Sequence, residues 1–225
     1  MRKRELKNIE WSILIIAIIL CIIGLVALFS ATEGTQHDDF YKQCIWFGIS
    51  LVIMTIIMLI DYETIVKVSP LFYGGFIILL IGVLFTKPIN GATSWFDIGF
   101  FSFQPAEFAK VFVILFLAYA INKIQRRGKN EINKPLKLLI IFAILLVPLF
   151  LIIKQPDYGT AAAYIVATAL MLITAGINKK YIITTLAVIV ISLPLLYNFV
   201  LPEHAKNRID IFLHPESDPR GAGYN

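Results

Sequence analysis

The chain has 225 residues, of which 58% are hydrophobic and 16% charged, against about 45–50% and about 25% in soluble domains. With a mean hydropathy of +0.79, this composition excludes a soluble enzyme, a disordered chain and a disulfide scaffold. The net charge of +5 would suit a nucleic-acid binder, but the placement of the cations points to membrane topology instead.

A bilayer core takes about 20 apolar residues per helix. In chain order the apolar runs predict spans at residues 11–29, 44–60, 68–86 (with Pro70 near its start), 105–121, 138–153, 158–178 and 181–201. The expected fold class is therefore an all-α polytopic membrane protein, with seven transmembrane helices over residues 1–201 and an outer loop over residues 202–225. The first run follows the basic stretch Arg2–Lys7 as a signal peptide would, but its 19 residues exceed the usual h-region of about 7–15. It reads as a retained helix. Cys21 and Cys44 lie in apolar runs and read as buried small hydrophobes.

With the N-terminus inside, 13 of the 20 Lys and Arg residues fall in inside segments, 6 fall outside, and Lys110 lies within a span. That bias sets the orientation. The basic stretch Lys123–Lys137 becomes an inside topology anchor rather than a nucleic-acid surface. A seven-helix receptor is excluded, because receptors of that kind place the N-terminus outside.

Three outer segments then hold the unusual residues. Residues 90–104 are too polar to span and too aromatic for a solvated loop: Trp95, Phe96, Phe100, Phe101 and Phe103 suit the headgroup level, and Gly91 and Gly99 allow turns. The segment reads either as an aromatic belt or as a platform for a lipid-linked ligand. Pro105 suits the first position of the fourth helix, which puts Glu107 at the third, where a carboxylate can cap the turn. Lys110 lies about 7 Å deeper and shares a face with Glu107. It is expected to pair with Glu107 or Asp157 inside the bundle, with snorkelling to the surface as the alternative.

The second segment, residues 154–160, joins two spans with almost no linker. Pro156 stops one helix, and Asp157 either caps the next or presents a carboxylate at the mouth of the bundle. The third, residues 202–225, is rich in Pro, Gly and charge. His204, His214, Glu216 and Asp218 match no closed metal site. Arg208 and Arg220 have the geometry for phosphate but read first as solvated loop charges.

At these segments the chain resembles the SEDS family, the RodA, FtsW and SpoVE proteins of bacteria. The run from Gly91 to Lys110 is similar to the family signature through the start of helix four. Pro156-Asp-Tyr-Gly-Thr160 is similar to its Pro-Asp-x-Gly-Thr motif. Asn207-Arg208 and the run from Pro215 to Tyr224 are similar to the start of its large outer loop, with wording closer to RodA-like members. The resemblance covers essentially the whole chain.

It implies a peptidoglycan glycosyltransferase of elongation or division, which moves the growing glycan from undecaprenyl pyrophosphate onto a sugar hydroxyl of lipid II outside the cytoplasmic membrane. The implied partners are lipid II, a class B penicillin-binding protein and other elongation or division proteins, with no nucleic acid. No cofactor is implied within the chain, and a divalent cation at the site is left open. The motif residues carried over as supporting the site or binding substrate are Trp95, Gln104, Pro105, Glu107, Lys110, Asp157, Gly159, Thr160 and Arg208. The family has ten helices and a catalytic aspartate later in its large loop. By that comparison the chain is expected to be an N-terminal fragment, corresponding to the first seven helices, and inactive by itself. Two other classes stay in view: a lipid II flippase or transporter, and a non-catalytic scaffold for partner helices. Because the intramembrane charges cluster near one face, transfer at that face is favoured over translocation.

Overall fold

The computed structural model describes residues 10–33, 38–88, 93–99, 101–200, 206 and 210–211. Among these the chain forms α1 (Trp11–Ala31), α2 (Asp38–Leu59), α3 (Tyr62–Val83), β1 (Phe96–Asp97), β2 (Ser102–Phe103), α4 (Pro105–Gln125), a 3-10 turn (Lys129–Asn133), α5 (Pro135–Lys154), α6 (Tyr158–Thr174), α7 (Lys179–Leu195) and a π turn (Leu196–Val200). Helices α1, α2, α3 and α5 are long and apolar enough to cross a membrane, and α6 is a shorter apolar helix of 17 residues. The protein is a multi-pass membrane protein.

Several helices start before the apolar stretches that predict them, whereas α6 stops at Thr174, short of the expected 178, and α7 gives way to the π turn after Leu195, short of 201. Helix α2 starts at Asp38 rather than residue 44, because Asp38 and Asp39 sit in its first turn, where the helix dipole favours carboxylates. Helix α3 starts six residues before the expected span. Its first two turns carry an exposed Glu63–Lys67 pair at 3.5 Å, the i,i+4 spacing that supports a helix. Pro70 thus lies inside α3, as Pro148 lies inside α5, a placement that membrane helices tolerate when neighbours satisfy the freed backbone groups.

The chain divides into two units, Met1–Val68 and Ser69–Asn225. In the first, α1 packs on α2, with the Phe29 and Phe40 rings edge to face at 5.2 Å. Cys21 is exposed and Cys44 half-buried, which corrects the expectation that both are buried. These helices are apolar nearly all round, so an outward-facing cysteine meets no polar requirement.

In the second unit α4, α5 and α6 pack on one another. The core runs through Ala109, Val113 and Leu117 of α4, Ile141, Leu145 and Ile152 of α5, and Ala161, Tyr164 and Leu172 of α6. Tyr73 of α3 donates to the Ile144 carbonyl at 3.1 Å and packs on Phe116. Cross-links between α4 and α6 pair 104 with 157, 106 with 164 and 125 with 175. Since both series ascend, the two helices are parallel, with their N-termini at the same end. At the opposite end Asn133 accepts from Asn178 N at 2.7 Å, and its carbonyl accepts from the Tyr181 hydroxyl at 3.1 Å.

The all-α expectation misses one feature among the described residues, a small antiparallel hairpin in the aromatic segment. Phe96 pairs with Phe103, and Asp97 with Ser102. Gly99 makes the turn with φ +87°, a conformation glycine adopts without strain, and its N–H donates to Asp97 Oδ1 at 3.0 Å.

Candidate functional site

The parallel N-termini of α4 and α6 form the site. Gln104 is the N-cap residue of α4, and Pro105, fully buried, is its first helical residue. The Gln104 side chain does not cap its own helix. Its Nε2 instead donates to Asp157 Oδ2 at 2.8 Å. Asp157 caps α6, its Oδ1 accepting from Thr160 N at 3.1 Å. One carboxylate therefore satisfies an orphan amide of α6 and ties α6 to the head of α4. Both readings of Asp157 meet in one geometry, since it caps a helix and stands at the mouth of the bundle.

Lys110 pairs with Glu107, its Nζ lying 3.0 Å from both carboxylate oxygens. Glu107 Oε1 also accepts from the Thr160 hydroxyl at 3.5 Å. A continuous polar path results: Lys110, Glu107, Thr160, Asp157, Gln104. It crosses from α4 to α6 and back. The placement corrects two expectations. Glu107 does not bond back as a capping box, because its carboxylate is turned along the helix to Lys110. The pair is also not deep in the bundle, since the side chains are 50% exposed for Glu107 and 26% for Lys110. It sits at the mouth, with Lys110 the more enclosed.

Below the mouth the fit is tight. Tyr164, 2% exposed, donates to the Ala106 carbonyl at 2.8 Å. Gln155, fully buried, donates from Nε2 to the Leu80 carbonyl at 3.2 Å, and its own carbonyl accepts from the Ser94 hydroxyl at 3.3 Å. Gln155 thus fastens the end of α3 and the start of the hairpin segment to the α5–α6 turn. Its Oε1 has no partner among the described residues, a costly state for a buried amide unless a water or ligand group reaches it. Trp95 is half-buried, and its carbonyl accepts from the Thr86 hydroxyl at 3.1 Å. Gly159 is exposed in the first turn of α6, and a side chain there would meet no atom within 4 Å, so packing among the described residues does not require a glycine.

Of the nine site residues expected from sequence, Gln104, Glu107, Lys110, Asp157 and Thr160 are bonded together. Pro105 and Gly159 lie in the same two helix starts, and Trp95 lies in the segment that Gln155 holds. Arg208 lies outside the described residues, as do Gly91, Phe100, Arg220 and the set His204, His214, Glu216 and Asp218. Sequence reasoning missed Gln155 and Tyr164. A signal existed for Tyr164: Thr160, Tyr164 and Thr168 recur at i, i+4 and i+8 in an otherwise apolar helix, one face by period.

A lysine and the positive ends of two parallel helices at one mouth favour an anionic group there. Both Asp157 oxygens, and both Glu107 oxygens, are already engaged as acceptors. The arrangement is suited to binding and orienting, with the carboxylates as anchors.

Comparison with known proteins gives the family and the fold. The sequence pattern of the FtsW, RodA and SpoVE proteins, described as cell cycle protein, matches residues 10–225. The chain is 30% identical over 198 residues to the peptidoglycan glycosyltransferase RodA of Treponema pallidum, covering 86% of this chain and 45% of that protein. It is 31% identical to a probable peptidoglycan glycosyltransferase FtsW of Geobacter metallireducens, covering 98% and 60%. Its fold is similar to a chain of a peptidoglycan synthase complex (TM-score 0.80, 23% identity, 95% of this chain and 62% of that one). It is similar also to Thermus thermophilus RodA (TM-score 0.70, 24% identity, 82% and 59%). The chain thus spans about half the length of these curated relatives. The match across residues 10–225 settles the family: the chain belongs to the FtsW/RodA/SpoVE cell cycle proteins.

Proposed function

We propose that this chain is part of the membrane region of a peptidoglycan glycosyltransferase that polymerises lipid II at the outer face of the bacterial cytoplasmic membrane. The observation that carries the reading is the polar path from Lys110 to Gln104, set where two parallel helices begin. In this reading the N-terminus is inside, α1–α7 are the first seven spans of a ten-helix bundle, and residues 202–225 begin a large outer loop. The hairpin lies on the outer side, where Trp95 and its neighbouring aromatics border the headgroups.

The transfer breaks the bond between an anomeric carbon and the pyrophosphate of one lipid carrier. It forms a glycosidic bond to a hydroxyl of the acceptor sugar, whose proton passes to a base. Lys110 and the helix N-termini serve the pyrophosphate, whose charge grows as it leaves. Asp157 and Gln104 hold the two helix starts in register. The base is not assigned to Asp157 or Glu107, whose oxygens are engaged. A class B penicillin-binding protein is the proposed partner that crosslinks the product, and a divalent cation on the pyrophosphate is compatible with the reading.

The test uses labelled lipid II with the purified longer protein and its penicillin-binding partner. Glycan strands are expected, with none above a no-enzyme control from the 225-residue chain under the same conditions. Strands made by that chain, and lost on Asp157→Asn, which keeps the cap and can keep a bond to Gln104, would make Asp157 the base and overturn its role as an anchor. Failure of the longer protein to polymerise would overturn the function itself.

A further inference from the structure

Away from the proposed site, at the other end of the bundle, a groove of about 340 Å³ lies between α4 and α5. It is graded along its length. Lys123, Arg127 and Lys137 line it towards the α4–α5 turn, and Phe116, Ile140 and Ile144 line it farther along the two helices. On α4, residues 116, 120 and 123 form one stripe at i, i+4 and i+7, and Arg127 follows in the turn just after the helix; on α5, residues 137, 140 and 144 form the facing one. From Lys137 to Ile144 the groove follows about 10 Å of helix. Tyr73, packed on Phe116 with ring centroids 5.0 Å apart, adjoins its apolar end. Lys123 Nζ lies 5.7 Å from the Tyr119 ring centroid, a cation–π contact that holds the ammonium beside that ring.

The nearby carboxylate is Glu131, which pairs with Lys134. The hydrogen bond from Lys134, with the charges of Lys134, Lys137 and Arg127, holds its carboxyl below the usual glutamate range. Glu131 is therefore one negative charge, already engaged, beside Arg127 and Lys137 of the groove.

We propose that this groove is a binding site for one anionic phospholipid, with the phosphate among Lys123, Arg127 and Lys137 and an acyl chain along Phe116, Ile140 and Ile144. Charge complementarity selects the headgroup, because basic pockets between membrane helices attract anionic lipids. The apolar end distinguishes a lipid from a bare anion, which would leave that half of the groove unfilled. A topology anchor needs only positive charge in a loop; it does not need three cations lining one groove together with apolar side chains. The site is separate from the proposed transfer site, and neither proposal depends on the other.

Native mass spectrometry of the purified chain with phosphatidylglycerol or phosphatidylcholine tests the assignment. One phosphatidylglycerol should be retained with at least about tenfold preference, the scale expected of a few interfacial cations. The triple variant Lys123→Gln, Arg127→Gln, Lys137→Gln should lose the preference. A control with equal charge loss outside the groove, Arg126→Gln, Lys129→Gln, Lys179→Gln, should keep it. Ile140→Trp fills the groove without changing charge, at a position 44% exposed, and should also lose retention. Equal loss in the control would show a diffuse electrostatic surface and overturn the site. Full retention by Ile140→Trp, or inorganic phosphate competing as well as the lipid does, would show a bare anion site and overturn it too. A segment of a longer chain seated in the groove would appear as phosphatidylglycerol retention by the 225-residue chain that the longer protein lacks, and would equally overturn the lipid as the native occupant.

Discussion

Asp157→Ala is expected to destabilise the protein by about 2–4 kcal/mol, the sum of a lost N-cap and a lost hydrogen bond to a charged acceptor. The alanine leaves Thr160 N without its acceptor and Gln104 Nε2 without its partner on α6. For a chain of this length that is a fall in Tm of about 4–16 °C, read by thermal unfolding in detergent. Asp157→Asn should cost less than about 1 kcal/mol, because asparagine is as good an N-cap and its amide can complement a rotated Gln104. Equal losses for the two variants would mean that the negative charge, rather than the bonding geometry, holds the mouth together.

Lys110→Ala is expected to act on function far more than on stability. Glu107 is half exposed, so it keeps access to other donors when its partner is removed, and the pair is worth about 1 kcal/mol or less to folding. That differs from a pair deep in the bundle, where a stranded carboxylate would cost several kcal/mol. If Lys110 meets the departing pyrophosphate, its loss should lower lipid II polymerisation by the longer protein about 10²–10³-fold, the range for removing one preorganised electrostatic partner. Lys110→Arg should recover part of the rate, since it restores the charge with a different reach. Rate and Tm are to be measured on the same preparations. Wild-type polymerisation by Lys110→Ala would show that the lysine merely reaches to the surface, and a Tm loss matching the rate loss would make its role structural.

Much of the helical layout is readable from apolar run length, because a helix that meets hydrocarbon must be apolar for most of its length. The helix ends are less readable. Asp38, Glu63 and Lys67 extend α2 and α3 past their apolar stretches through dipole and i,i+4 effects, which a hydropathy count treats as interruptions. At the site, Pro105 and Asp157 are readable because helix starts have local chemistry, and the Glu107–Lys110 pair follows from its spacing. The bond from Gln104 to Asp157 joins residues 53 apart, and no local rule anticipates it. Gln155 was hidden for the same reason, since its partners are Leu80 and Ser94. The hairpin escaped because two-residue strands carry too little alternation to register.

Everything proposed for the mouth of α4 and α6 depends on its facing the outside of the cell, and cysteine labelling in intact cells tests this directly. In a background with Cys21 and Cys44 replaced, a single cysteine is placed at Ile98, exposed beside the hairpin turn, or at Asn130, exposed in the 3-10 turn at the opposite end. An impermeant maleimide should label position 98 before lysis, and position 130 only after it. Labelling of position 130 with protection of position 98 would invert the topology, put the Lys110–Gln104 path on the cytoplasmic side, and contradict glycan polymerisation at the outer face.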